Sequence, residues 1–159
     1  MQEFQHSIQI DAPVDVAWRL LSHVGQWPQW LPTVSEVRPL GPSVVEPGAR
    51  FIVRQPKLAS ATWLVTEVSP PHSFVWESYS PGVRMRASHV LTAPSPSTCA
   101  LELRFAFSGW LGKPLSLLFA RLTQSYLAQE CAALKTAAEQ AVAAGSDDSF
   151  KSKPLRGSA

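Results

Sequence analysis

His89 is the residue in this chain that most directly asks for chemistry. It lies in "VRMRASHVL", where Met85, Ala87, His89 and Leu91 alternate with Arg84, Arg86 and Ser88, a period of two that puts the first set on the inner face of a strand. A histidine on an apolar face either satisfies its ring on a buried neighbour or serves a ligand as polar contact or general acid–base. Its potential helpers are few. Glu67 shares an inner rim in only one of the two phases of "SATWLVTEV", while Tyr79 and Tyr126 offer hydroxyls to a ligand or pack in the core. Ser125 and Gln129 bring polar atoms near the sheet-facing side of a helix, where water or ligand in a cavity would partner them. Arg84 and Arg86 read as solvated strand residues, with anion contact at a pocket mouth as the alternative. The chain contains no GxSxG elbow, HExxH zinc pair, Walker loop, dinucleotide glycine fingerprint or calcium loop. The glycines of "GWLGKP" read as a strand turning into a helix, not as a phosphate cradle. No cofactor and no metal site is expected.

The apolar residues around His89 are more telling than the polar ones. Alternation turns Leu101, Leu103, Phe105 and Phe107 inward from "CALELRFAF", Phe51, Val53 and Gln55 from "ARFIVRQP", and Phe74, Trp76 and Ser78 from "HSFVWESY", the last phase leaving Glu77 outside. Trp63 joins them from the neighbouring strand. "WPQW" places Trp27 and Trp30 in a short connection, where they either plug a core or rim an entrance for something apolar. The candidate ligand-binding set is Trp27, Trp63, Phe74, Trp76, Met85, His89, Leu103, Phe105, Leu122 and Tyr126, and His89 is the weak catalytic candidate.

The elements that must hold these residues are legible in the periodicity. "EFQHSIQI" alternates Phe4, His6, Ile8 and Ile10 against polar neighbours, as a strand with one wet face does. "DAPVDVAWRLLSHV" shifts to helical spacing, with Pro13 at its start, Val14, Ala17, Trp18 and Leu21 on one face, and Gly25 as its stop. Six short strands follow between Thr33 and Ser108, separated by proline- and glycine-rich turns, which predicts an antiparallel meander whose edge the first strand can join. The last element, from Lys113, carries Leu115, Leu118, Leu122, Tyr126, Ala133 and Ala137 at three- and four-residue steps. About 28 helical residues reach roughly 42 Å, enough to lie across a whole sheet. A curved sheet meets such a helix fully only where side chains span the gap, and elsewhere a pocket is left.

Composition narrows the function classes. The 159 residues, 45% of them hydrophobic, suit one substantial core. Residues 1–144 read as a single domain and 145–159 as a flexible tail with little to bury. Fourteen basic and twelve acidic side chains leave a net charge of +2 without a basic stripe, so no nucleic-acid partner is expected. No stretch approaches the ~20 apolar residues of a membrane span. Cys99 and Cys131, with no secretory signal and no CxxC spacing, point to reduced packed thiols and a cytoplasmic protein. An edge strand or the long helix leaves a homo-oligomer open.

Several local signals carry a resemblance: "IDAPVDVAWRLLSHVGQWPQWLPTVSEV", "WLVTEVSPPHSFVWES", "SPGVRMRASHVL" and "FSGWLGKPLSLLFARLTQSYLAQECAALKTAAE". Over residues 3 to 140 the chain resembles the SRPBCC or START-like helix-grip superfamily, in particular its small bacterial polyketide cyclase/dehydrase-like and lipid-transfer-like members. The resemblance implies an α+β, START/Bet v 1-like fold: a curved antiparallel seven-stranded sheet wrapped around a long C-terminal helix, with two short helices after the first strand. It also implies that Trp30 is structural and that an apolar cavity takes a small hydrophobic or amphipathic ligand. A cyclase or dehydratase acting in that cavity, and a chaperone-regulating or protein-interaction module, are the alternatives it leaves.

Overall fold

The computed structural model describes residues 2–151, with side chains described to residue 145. Its seven strands form one antiparallel sheet in the order β1-β7-β6-β5-β4-β3-β2. The strands are β1 Gln2–Ile10, β2 Glu36–Pro39, β3 Arg50–Arg54, β4 Ala61–Ser69, β5 Ser73–Ser80, β6 Val83–Ser95 and β7 Thr98–Ser108. From β2 to β7 each strand pairs with its successor, and β1 closes on β7. This is the expected meander, made cheap by short turns that need no crossover. Helix α1, Val14–Ser22, and a 3-10 helix, Val24–Gln29, follow β1, and α2, Gly112–Leu118, and α3, Ala120–Lys151, follow β7. The chain thus has the curved-sheet, long-helix architecture expected of a helix-grip protein.

The inner face follows the alternation. Phe51 and Val53, Phe74 and Trp76, Ala87, His89 and Leu91, and Leu101, Leu103 and Phe107 are all buried. From α3, the buried side chains are Leu127, Cys131, Leu134 and Ala138, while β1 and α1 contribute Ile10, Ala17 and Leu21. Each fully buried large aliphatic or aromatic side chain contributes about 1.5–3 kcal/mol, so this layer supplies the cohesion.

Four local expectations are corrected. Helix α1 ends at Ser22, and Gly25 sits inside the 3-10 helix that follows. The C-terminal element is broken at Phe119 into α2 and α3; Leu118 is 74% exposed. The buried stripe of α3 runs one position away from Tyr126, Ala133 and Ala137, because the break resets the helical phase that a continuous helix from Lys113 would carry. In β4 the register against β5 shifts between Val65 and Glu67. An extra residue there exchanges the faces, so Trp63 and Val65 point inward before it and Val68 packs on the core after it, with Glu67 outside.

The strand-to-helix corner after β7 does require glycine. Gly109 has φ of +90°, and a Cβ there would stand 2.5 Å from the carbonyl oxygen of Gly82, itself at φ +81°. Two glycines in the left-handed region let the β5–β6 turn and the β7–α2 corner touch through backbone, which brings α2 against the end of the sheet.

The segment expected as a tail begins at Gly145. Backbone helix extends to Lys151, and residues 152–159 lie outside the described residues.

Candidate functional site

Between the inner face and the helices α2 and α3 lies an apolar pocket of about 280 Å³. Trp27, Trp63, Trp76, Met85, His89, Leu103, Phe105, Leu122 and Tyr126 all line it. Phe74 does not; it is wholly buried behind His89, with the two rings stacked 4.2 Å apart and 10° from parallel. Phe74 thus backs the site and fixes the imidazole plane.

The aromatic wall is built from elements distant in sequence. Trp27 comes from the 3-10 helix, where its Nε1 donates to the Leu21 carbonyl at 3.1 Å and leaves the indole face free to pack. Its ring meets that of Trp76 at 5.3 Å and that of Trp30 at 6.1 Å, both edge to face. Trp76 in turn lies 5.2 Å from Trp63, which meets Phe105 at 6.0 Å. Edge-to-face contacts, with a tilted Trp63–Trp76 pair between them, lock these rings against one another, so this wall is preformed. Trp30, half-buried behind Trp27, has the structural place expected of it.

The polar end of the pocket is a pair that strand periodicity alone misses. His89, 3% exposed, sets Nε2 3.1 Å from Oε1 of Glu130, which α3 delivers across the interior. The other ring nitrogen, Nδ1, is buried with no hydrogen-bond partner among the described residues. An unpartnered N–H there would forfeit a hydrogen bond outright, whereas an unpartnered lone pair costs less. The proton therefore belongs on Nε2, donated to the carboxylate. Glu130 keeps a second oxygen and a side chain that is 14% exposed. One signal could have found it: Glu130 precedes Cys131 and stands three residues after Leu127 and four before Leu134, on the edge of the buried stripe of α3.

The remaining polar candidates lie elsewhere. Ser125 and Gln129 are exposed and bonded to each other at 2.9 Å. Tyr126 lines the pocket but turns its hydroxyl to donate to the Pro56 carbonyl, tying the β3–β4 loop to α3 beside the opening. Tyr79 is exposed on the outer face of the sheet and donates to Glu77. Arg84 and Arg86 also converge on Glu77, and Arg86 reaches Glu67 at 3.2 Å. Glu67 is thereby removed from the inner rim.

The two cysteines are buried and unbridged. Burial, assisted by the adjacent Glu130 carboxylate, pushes the Cys131 thiol up to about 12, and burial raises Cys99 as well. Neither is a nucleophile at neutral pH. Among the described residues, no group of three or more His, Cys, Asp or Glu is placed to hold a metal ion.

Residues 1–139 match the family described as polyketide cyclase/dehydrase and lipid transport. This chain belongs to that family. No curated protein matches it closely enough to add a relative. Among solved structures, the family member aligns with the di-domain aromatase/cyclase BexL at 22% identity and a TM-score of 0.66, over 87% of this chain and 47% of that one. It therefore spans about half the length of that two-domain protein. The Zhui aromatase/cyclase from a Streptomyces species matches at 17% identity, TM-score 0.67, over 89% and 95% of the two chains. A norcoclaurine synthase from Thalictrum flavum, solved with a transition-state analogue, matches at 15% identity, TM-score 0.70, over 87% and 94%. At these identities the shared property is the fold. Among the described residues no helix is long and apolar enough to cross a membrane.

Proposed function

We propose that the chain binds or carries a small hydrophobic or amphipathic ligand, of lipid, aromatic or polyketide-like character, in this pocket. The observation that carries the reading is a space of about 280 Å³, walled mainly by tryptophan, phenylalanine, leucine and methionine, with the buried His89–Glu130 pair among its few polar lining groups. Apolar burial supplies affinity and the pair supplies orientation. The volume suits a fused aromatic system or a single short chain; it lies just below the ~300–1,000 Å³ of typical small-molecule sites. Family membership and the aromatase/cyclase neighbours support the same class of occupant.

Native mass spectrometry of gently purified protein, compared with the denatured mass, is the direct test, followed by titration with a naphthalene-type fluorophore. Excess mass released on denaturation, or saturable one-to-one binding that quenches tryptophan emission, is the expected result. Strictly apo protein with no probe binding sinks the proposal.

The His89–Glu130 pair favours a second reading, an enzyme of cyclase or dehydratase type in the same cavity. Glu130 would accept a proton from an acidic carbon or hydroxyl of the bound substrate and return it to the enolate carbon or departing oxygen, while His89, donating Nε2–H to the other side of the carboxylate, holds it in place. A simple enolisable aryl ketone, 2-tetralone, reports on this without knowledge of the product. In heavy water the protein should speed deuterium uptake at the activated carbon, and Glu130→Gln should remove at least about 99% of that acceleration, the lower end of the usual ~10²–10⁴-fold contribution of a positioned base. Equal exchange by wild type and variant leaves a binding protein only.

A further inference from the structure

The pocket is lined by Leu58 and Ala59 of the β3–β4 loop, Val83 at the start of β6, Leu115 of α2 and Phe119 at the α2–α3 break, and since Ala59 is exposed and the others half-buried, the pocket reaches the surface on this side. One side of α2 therefore faces the cavity. Beside it, Trp110 of the β7–α2 corner and Leu117 and Leu118 of α2 are turned to the surface, 79%, 63% and 74% exposed, three of the five large hydrophobic residues most exposed among the described residues. Among the described residues, nothing covers them. Trp110 also rests against the β5–β6 turn at Gly82, so the indole is propped at the end of the molecule instead of folding back into the core. Along the chain, the charged residues from the β7–α2 corner into the start of α3 are all basic. Lys57 of the β3–β4 loop, Lys113 of α2 and Arg121 of α3 are exposed, and no acidic residue occurs between Glu102 and Glu130.

We propose that this rim is a docking face for an anionic bilayer surface, which sets the pocket mouth against the membrane so that an apolar ligand passes between the two without crossing water. The identity of the cargo rests on the binding role above; the docking itself does not. A protruding tryptophan and two leucines insert at the level of the headgroups, and flanking lysine and arginine meet acidic lipid, the two signals that together make surface binding stable. Charge decides against a second copy as the occupant. A two-fold pairing through this face would bring Lys113 and Arg121 of each copy toward those of the other, and neither α2 nor the first turns of α3 carry an acidic residue to offset them.

The test is flotation of the full chain with vesicles of phosphatidylcholine alone and with vesicles of which about a third is phosphatidylglycerol. Binding to the acidic vesicles, weakened by added salt, is expected. The double variant Leu117→Ser/Leu118→Ser and the single variant Trp110→Ser should each lower partitioning at least about tenfold, and Lys113→Glu/Arg121→Glu should abolish it. All five positions are exposed, and an unchanged thermal midpoint confirms that the variants fold. Ala87→Phe, which fills the pocket, should float like wild type, so failure of ligand binding and failure of docking are separately visible. Absence of vesicle binding, or binding unaffected by the serine variants, overturns the proposal. So does a concentration-dependent dimer of the wild type that those same variants dissolve.

Discussion

Ala87→Phe should reduce affinity for any pocket ligand by at least about a hundredfold, close to 3 kcal/mol at 1.4 kcal/mol per tenfold, while leaving the protein folded. Ala87 sits in the middle of β6 on the inner face, directly across from Trp76 of β5 and Phe105 of β7. All three line the pocket. Overpacking a filled core costs about 1–3 kcal/mol because neighbours must move, but here the added ring enters a space of about 280 Å³ already present. Filling a void gains contacts, so the melting temperature should hold or rise. Fluorophore titration beside a thermal melt measures both effects. Undiminished affinity in a folded variant would place the ligand outside this pocket.

Loss of the Glu77 carboxylate should be the most damaging single change on the opposite face of the sheet, about 3 kcal/mol for Glu77→Ala, the lower end for breaking a buried ion pair. Glu77 is 3% exposed although it points away from the pocket. It is covered by Arg84, whose Nε donates at 3.0 Å, by Arg86 at 2.9 Å, and by the Tyr79 hydroxyl. Arg84 and Arg86 stay 47% and 41% exposed, so their own hydration persists when the carboxylate goes, which keeps the cost from climbing further. Hydrogen bonds from Arg84, opposed by burial and helped by Tyr79 and Arg86, lower the Glu77 carboxyl from 4.5 to about 2. A carboxyl held below its unfolded value stabilises fully above 4.5, and the contribution is lost as pH falls from 4.5 toward 2. Urea unfolding should therefore separate wild type from Glu77→Gln widely at neutral pH and much less at about pH 2. An equal gap at both would mean that the amide and the carboxylate are held equally well, and that ionisation contributes nothing.

These two positions also mark where sequence reasoning stops. Ala87 is read correctly as inward from strand alternation, because a two-residue period admits only two faces and Arg84, Arg86 and Ser88 exclude one of them. Glu77 is read correctly as outside, but alternation does not show that it is buried there. Its burial depends on Arg84 and Arg86 of the neighbouring strand folding over it, and cross-strand register is a pairing property that no single strand contains. The same limit hides Glu130: His89 is visible as a polar group on an apolar face, yet its partner lies 41 residues away on a helix whose phase is reset at Phe119.

From the sequence alone followed the strand count, the antiparallel meander, the presence of a long terminal helix and the inward residues of β3, β5, β6 and β7, since each rests on periodicity and turn chemistry within about ten residues. Tertiary structure decided the bulge that turns Glu67 outward, the break that exposes Leu118 beside the pocket mouth, and the meeting of His89 with Glu130. Each of those depends on how far one element slides or rotates against another. That is settled by packing over the whole core, where a one-residue offset exchanges the faces of a strand or turns a helix by about 100° at 3.6 residues per turn.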